Sequence, residues 1–187
     1  MKSKVVTFLI FILLLGCKKS ETKILTNEIQ NPVSEEIIYK FINSALAGND
    51  TYESCPNVLE TKRFIYLNID ESELKFVQRI LKENDSTFIK NQLVSREKFY
   101  WKENLLANKR IVKIDTIANT YETQVKSWEK TISKYKCVLF INQPLFNKQL
   151  NLAIVKIQGA DYLETILFQS INGNWKQVTV LEIAIID

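Results

Sequence analysis

Apolar residues recur at helical spacing through the first half of the chain and in branched, strand-like runs through the last third. Ser34 is placed as an N-cap ahead of Glu35 and Glu36, acids favoured by the positive end of a helix dipole. Ile37, Ile38, Phe41, Ile42, Ala45 and Leu46 then share one face of a helix that Gly48 terminates. Thr51 to Leu59, with Cys55 and Pro56, reads as loop, and Phe64 to Ile69 as a short strand or extended piece. Asp70 to Ser72 open a second helix with Leu74, Val77, Ile80 and Leu81 on one face, ending near Asn84 and Asp85. Ser86 is positioned to cap a third, which carries Phe88, Ile89 and Leu93. The stretch from Arg96 to Leu106 has no clear period. Val112 and Ile114 alternate with Lys113 and Asp115 as in a strand, and Asn119, with Glu122 three residues on, caps a further helix. Its stripe is Tyr121, Val125, Trp128, Ile132 and Tyr135.

Beyond Cys137 the period shortens. Val138 to Ile141, Leu152 to Ile157, Tyr162 to Phe168 and Trp175 to Ile185 read as four strands. Asn172-Gly173 between the last two predicts a two-residue hairpin, because both residues tolerate the positive φ of a type I′ turn. Helices first and consecutive strands last predict an α+β domain, with N-terminal helices packed on a C-terminal antiparallel sheet of about four strands.

The first 16 residues belong to a different pattern. Lys2 and Lys4 precede an apolar run from Val5 to Leu15, too short for a membrane span, which needs about 20 apolar residues. A basic start, a run of this length and a small residue, Gly16, make residues 1–16 a secretory signal peptide. The tetrapeptide Leu14-Leu15-Gly16-Cys17 resembles the lipobox of bacterial lipoproteins, with Leu15 where Ala or Ser is commoner. That resemblance implies a diacylglycerol thioether on Cys17 and a fatty acid, such as palmitate, on its new amino group. Two or more acyl chains give stable anchoring where one does not. Residues 17–33, mostly polar and without sustained apolar period, follow as a flexible tether, and residues 34–187 form a single domain.

Composition narrows the chemistry. Loss of Lys2 and Lys4 with the signal lowers the net charge from +4 to +2, which is not a nucleic-acid balance. The chain contains no histidine, so Ser-His and Cys-His triads lack their base and His-based zinc sites cannot form. Four dispersed glycines cannot build a phosphate-cradling loop of the P-loop or dinucleotide type. Neither catalytic residues nor a cofactor or metal set are indicated.

A second resemblance covers roughly the last third. Gln143-Pro144-Leu145-Phe146-Asn147-Lys148, Leu152-Ala153-Ile154-Val155 and Asn172-Gly173-Asn174-Trp175-Lys176 are similar to a pattern in small uncharacterised lipoproteins of the Bacteroidota. There, a P-x-F-N-K turn and an N-G-x-W-K turn join successive strands, which implies a shared sheet and no particular activity. Surface display in that group goes with acid-rich residues after the lipidated cysteine. Lys18-Lys19-Ser20-Glu21 differs, so the resemblance implies the outer membrane with the domain on the periplasmic side.

Four constellations carry candidate chemistry. Asp70, Glu71 and Glu73 could ligate a divalent cation or simply complement a helix start. Glu164 and Glu182, on adjacent strands, could face each other as glycosidase carboxylates do, or point outward into water. Phe99-Tyr100-Trp101 offers a binding surface for a sugar or protein, although consecutive side chains cannot all point one way. Cys55 and Cys137 remain as a pair once Cys17 is lipidated, and in an oxidising compartment such a pair can bond. The expectation is a non-enzymatic envelope domain that contacts membrane lipid through Cys17 and binds an envelope protein or ligand, not nucleic acid. The alternative is a carboxylate-dependent hydrolase acting on envelope glycans.

Overall fold

The structure, a computed structural model, describes residues 31–60, 71–96, 98–113, 121–160 and 162–185. Helix α1 (Glu35–Ala45) begins at Ser34, whose hydroxyl accepts the Ile37 amide, and Gly48 turns the chain away at φ +82°. The fold reaches back past the expected boundary at Ser34. Val33 is buried in the same apolar cluster as Ile38, a hydrophobic staple across the N-cap, and its amide bonds the Asn31 side chain.

The expected loop from Thr51 to Leu59 is instead partly ordered. Asn49 caps a short helix α2 (Asp50–Ser54) by accepting the Tyr52 amide, and β1 (Asn57–Leu59) follows. Strand β1 pairs in parallel with β2 (Arg110–Val112), a contact between segments some fifty residues apart that local pattern does not announce. Helices α3 (Glu71–Leu81) and α4 (Ser86–Arg96) pack in one apolar cluster through Val77, Leu81, Ile89 and Leu93. The cap of α4 lies one residue before the expected Ser86, because Asp85 accepts the Phe88 amide at 3.0 Å. A 3-10 turn (Glu103–Leu105) precedes β2, and α5 (Tyr121–Tyr135) follows it. The expected strand at Phe64 to Ile69, Asp70, Ile114, Asp115 and the cap Asn119 lie outside the described residues, as do the side chains of Tyr121, Glu122, Val125 and Trp128.

The antiparallel sheet has five strands: β3 (Phe140–Ile141), β4 (Leu145–Phe146), β5 (Leu152–Gln158), β6 (Tyr162–Ile171) and β7 (Asn174–Ile185). Strand β4 was not expected. It pairs with β5 inside the stretch read as a P-x-F-N-K turn, and Gln92 of α4 completes it from the other side. The Gln92 amide donates to the Phe146 carbonyl at 2.8 Å and accepts the Phe146 amide at 2.9 Å, replacing a neighbouring strand. The motif's Asn147 organises the β4–β5 turn by accepting the amides of Asn151 and Leu152. Lys148 pairs with Asp85, while the buried Glu83 carboxylate accepts the Lys148 and Asp85 amides, which holds it below the usual carboxylate range.

The sheet is covered on both faces around β5, which is why that strand reads as a continuous apolar run. Ala153, Val155 and Ile157 face α1 through Phe41 and Ile42, together with Ile166 and Phe168 of β6. Ile154 faces the α3–α4 pair through Val77, Leu81, Ile89 and Leu93. A third, smaller cluster seats Ile132 and Tyr135 of α5 against Leu59, Val112, Val138 and Phe140. The β6–β7 hairpin closes on Asn172 (φ +53°) and Gly173 (φ +79°). Gly173→Val is expected to cost about 1–2 kcal/mol, the left-handed penalty for a side chain with a Cβ. A urea melt measures it, and an unchanged midpoint would refute the requirement for glycine.

Candidate functional site

Three segments far apart in sequence converge beside the parallel β1–β2 pair. Pro56 and Asn57 open β1, and the Pro56 carbonyl accepts the Arg110 amide at 2.8 Å. Asn108 (φ +57°), Lys109 and Arg110 lead into β2. Lys134, Tyr135 and Lys136 end α5, with Lys136 at φ +63° in the left-handed position that closes many helices. Together these eight residues line a cleft of about 460 Å³.

The walls are locked together. Cys55, just before Pro56, is bonded to Cys137, just after Lys136, with Cα atoms 5.5 Å apart. The Asn57 side-chain amide donates to the Cys137 carbonyl at 2.8 Å, and the Leu139 amide donates to the Asn57 carbonyl at 2.9 Å. Lys109 is buried. Its ammonium donates to the Tyr52 and Cys55 carbonyls and lies 4.0 Å from the centre of the Tyr52 ring. Burial lowers the Lys109 pKa, which Glu53 partly offsets, and burial pushes the Tyr52 phenol up to about 12.

Four of the eight lining residues are cationic and none is acidic. Lys134 and Lys136 alone could be explained by the α5 dipole, whose C-terminal end favours cations. Arg110 comes from the opposite wall, where no helix end calls for it. Among the described residues none of Arg110, Lys134 and Lys136 ion-pairs with a carboxylate, and Lys134 rests over the Tyr135 ring. The arrangement is suited to holding an anion by charge and hydrogen bonding.

The sites expected from sequence fare differently. Cys17 lies outside the described residues. The three-ring surface does not form, because Trp101 is only 4 % exposed and its indole donates to the Ile141 carbonyl at 2.8 Å. Phe99 is half-buried, edge-on to Trp101, and Tyr100 alone is exposed. Glu71 pairs with Lys75, and among the described residues no group of three potential ligands could hold a metal.

Glu164 and Glu182 lie on opposite faces. The turn sets Ile171 opposite Asn174, and two bulges leave Val178 and Leu181 without partners, so Glu182 stands opposite Thr165 and Glu164 opposite Ile183. One bulge would have brought the carboxylates face to face; the second carries them one residue past. Glu182 accepts the Thr165 hydroxyl at 3.0 Å and pairs with Lys156 at 3.5 Å. The two acids therefore cannot flank one scissile bond.

The chain matches no family model, no curated protein and no solved structure. The site accordingly stands on its own geometry. The cleft residues escaped the sequence reading because the cations are scattered at 109–110 and 134–136. The one available signal was the cysteine pair, since a bond between Cys55 and Cys137 brings their chain neighbours Pro56 and Lys136 into the same region.

Proposed function

We propose that the protein is a lipid-anchored component of the bacterial cell envelope whose α+β domain binds an anionic ligand in the Asn57–Arg110–Lys136 cleft. The lipid on Cys17 supplies location and the cleft supplies recognition, without covalent chemistry. The observation that carries the binding role is a cleft of about 460 Å³ whose charged lining is entirely cationic. Ligand clefts typically enclose ~300–1,000 Å³. Display on the periplasmic side of the outer membrane follows from the lipobox resemblance and the lysines after Cys17, and the disulfide suits that oxidising compartment.

Cys17→Ser tests the anchor, because a thiol accepts the diacylglyceryl group and a hydroxyl does not. The variant is expected to lose incorporation of labelled fatty acid and its retention in the membrane fraction. Undiminished labelling would overturn the assignment.

A further inference from the structure

We infer that the anion taken by the cleft is a phosphoryl group, as a monoester or diester. This rests on the anion-binding reading above and goes beyond it by naming the ligand class. A carboxylate offers two coplanar oxygens, which one guanidinium fork satisfies. Here a guanidinium-bearing residue, Arg110, lines the same concavity as two lysines, Lys134 and Lys136. A tetrahedral phosphoryl group presents oxygens in several directions, so the fork and the point charges can engage it together. Neutral groups complete the lining. Asn108 adds an amide to the lining and Tyr135 a ring under Lys134, suited to the carbon skeleton that bears the phosphate. Asn57 is already spent on the Cys137 carbonyl, and Lys109 on carbonyls behind the wall, so these two shape the cleft while Arg110, Lys134 and Lys136 contact the ligand.

The chain has no histidine, which gives the inference an unusual control. Histidine, the side chain that ordinarily changes charge between pH 5 and 8, is absent from the cleft lining. A phosphate monoester gains its second charge with a pKa of about 6. Affinity for a monoester is therefore expected to fall about tenfold from pH 7.5 to pH 5, as the ligand gives up that second charge. A diester has no second proton to take up, so its affinity is expected to stay level over that range.

The full-length lipidated protein in neutral detergent is titrated calorimetrically with glycerol 1-phosphate, with the diester glycerophosphoglycerol and with succinate. Saturable binding of either phosphate, with succinate at least about tenfold weaker, is expected. Preference for the diester identifies a phospholipid headgroup as the source, and preference for the monoester a soluble phosphorylated compound. Arg110→Gln with Lys136→Gln, both exposed positions where substitution spares the fold, is expected to weaken phosphate binding tenfold or more. Lys176→Gln removes a like charge outside the cleft and should leave it unchanged. Succinate bound as tightly as the phosphates would overturn the phosphoryl assignment while leaving an anion site. Failure of all three ligands to bind, or equal weakening by Lys176→Gln, would overturn the cleft itself.

Discussion

Replacing Cys55 and Cys137 together by alanine is expected to lower the unfolding free energy by about 2–5 kcal/mol. The bond closes a loop between residues 82 apart, for which loop-closure entropy alone gives about 4.5 kcal/mol. Against the ~5–15 kcal/mol that holds an ordinary domain together, this is a large share. The effect should also be local. Cys55 and Cys137 tie the start of β1 to the end of α5, so their loss frees two of the three cleft walls. The double variant is the right comparison, because either single substitution would strand an unpaired thiol, for Cys137→Ala at the fully buried Cys55. Urea unfolding without reductant measures the change, and alkylation of the unfolded parent should find no thiol at either position. A double variant as stable as the parent would show that the bridge contributes nothing.

Phe41→Ala is expected to cost about 3–5 kcal/mol, the range for removing a buried phenyl ring from a core. Phe41 is 1 % exposed and meets three rings edge-on, Phe146 at 5.2 Å, Phe168 at 5.5 Å and Trp175 at 4.8 Å. It is thus the point at which α1 grips β4, β6 and β7 at once. Edge-on pairs contribute ~0.5–1.5 kcal/mol beyond area burial, which places this site at the upper end of the range. Half-buried Trp175 reports the loss directly, since water entering the vacated space should shift its emission to longer wavelength. Phe76→Ala on the exposed face of α3 serves as the control, expected to stay within about 0.5 kcal/mol of the parent. A midpoint for Phe41→Ala as close to the parent as that control would refute the role of this ring in holding α1 to the sheet.

The elements legible in the sequence are those specified by neighbours. Ser34 with the Ile38, Phe41, Ile42 and Leu46 face makes α1 because cap and apolar stripe lie within one stretch of chain. Asn172-Gly173 makes the hairpin because positive φ is a property of those two residues. Helix ends were harder to read where Lys82 and Lys136, in place of glycine, adopt the left-handed conformation. The cation of Lys136 then enters the cleft for a reason its immediate neighbours do not state.

By itself the sequence determined the α+β division, α1, the α3–α4 pair, the long strands β5 to β7 and the turn that joins the last two. Each depends on periodicity or on the φ preference of a few consecutive residues, so each is encoded locally. Tertiary structure decided the rest. The parallel β1–β2 pair and the Gln92-completed β4 satisfy backbone groups through partners roughly 50 residues away, and two or three residues of strand carry too little pattern to reveal this. Two bulges in β7, whose count alone sets which side chains meet, put Glu164 and Glu182 on opposite faces. Packing that buried Trp101 left Tyr100 alone outside. The basic cleft forms where the Cys55–Cys137 bond, the Asn57 amide and the β1–β2 pairing bring residues 56–57, 108–110 and 134–136 to one place, and charge converging in space has no signature along the chain.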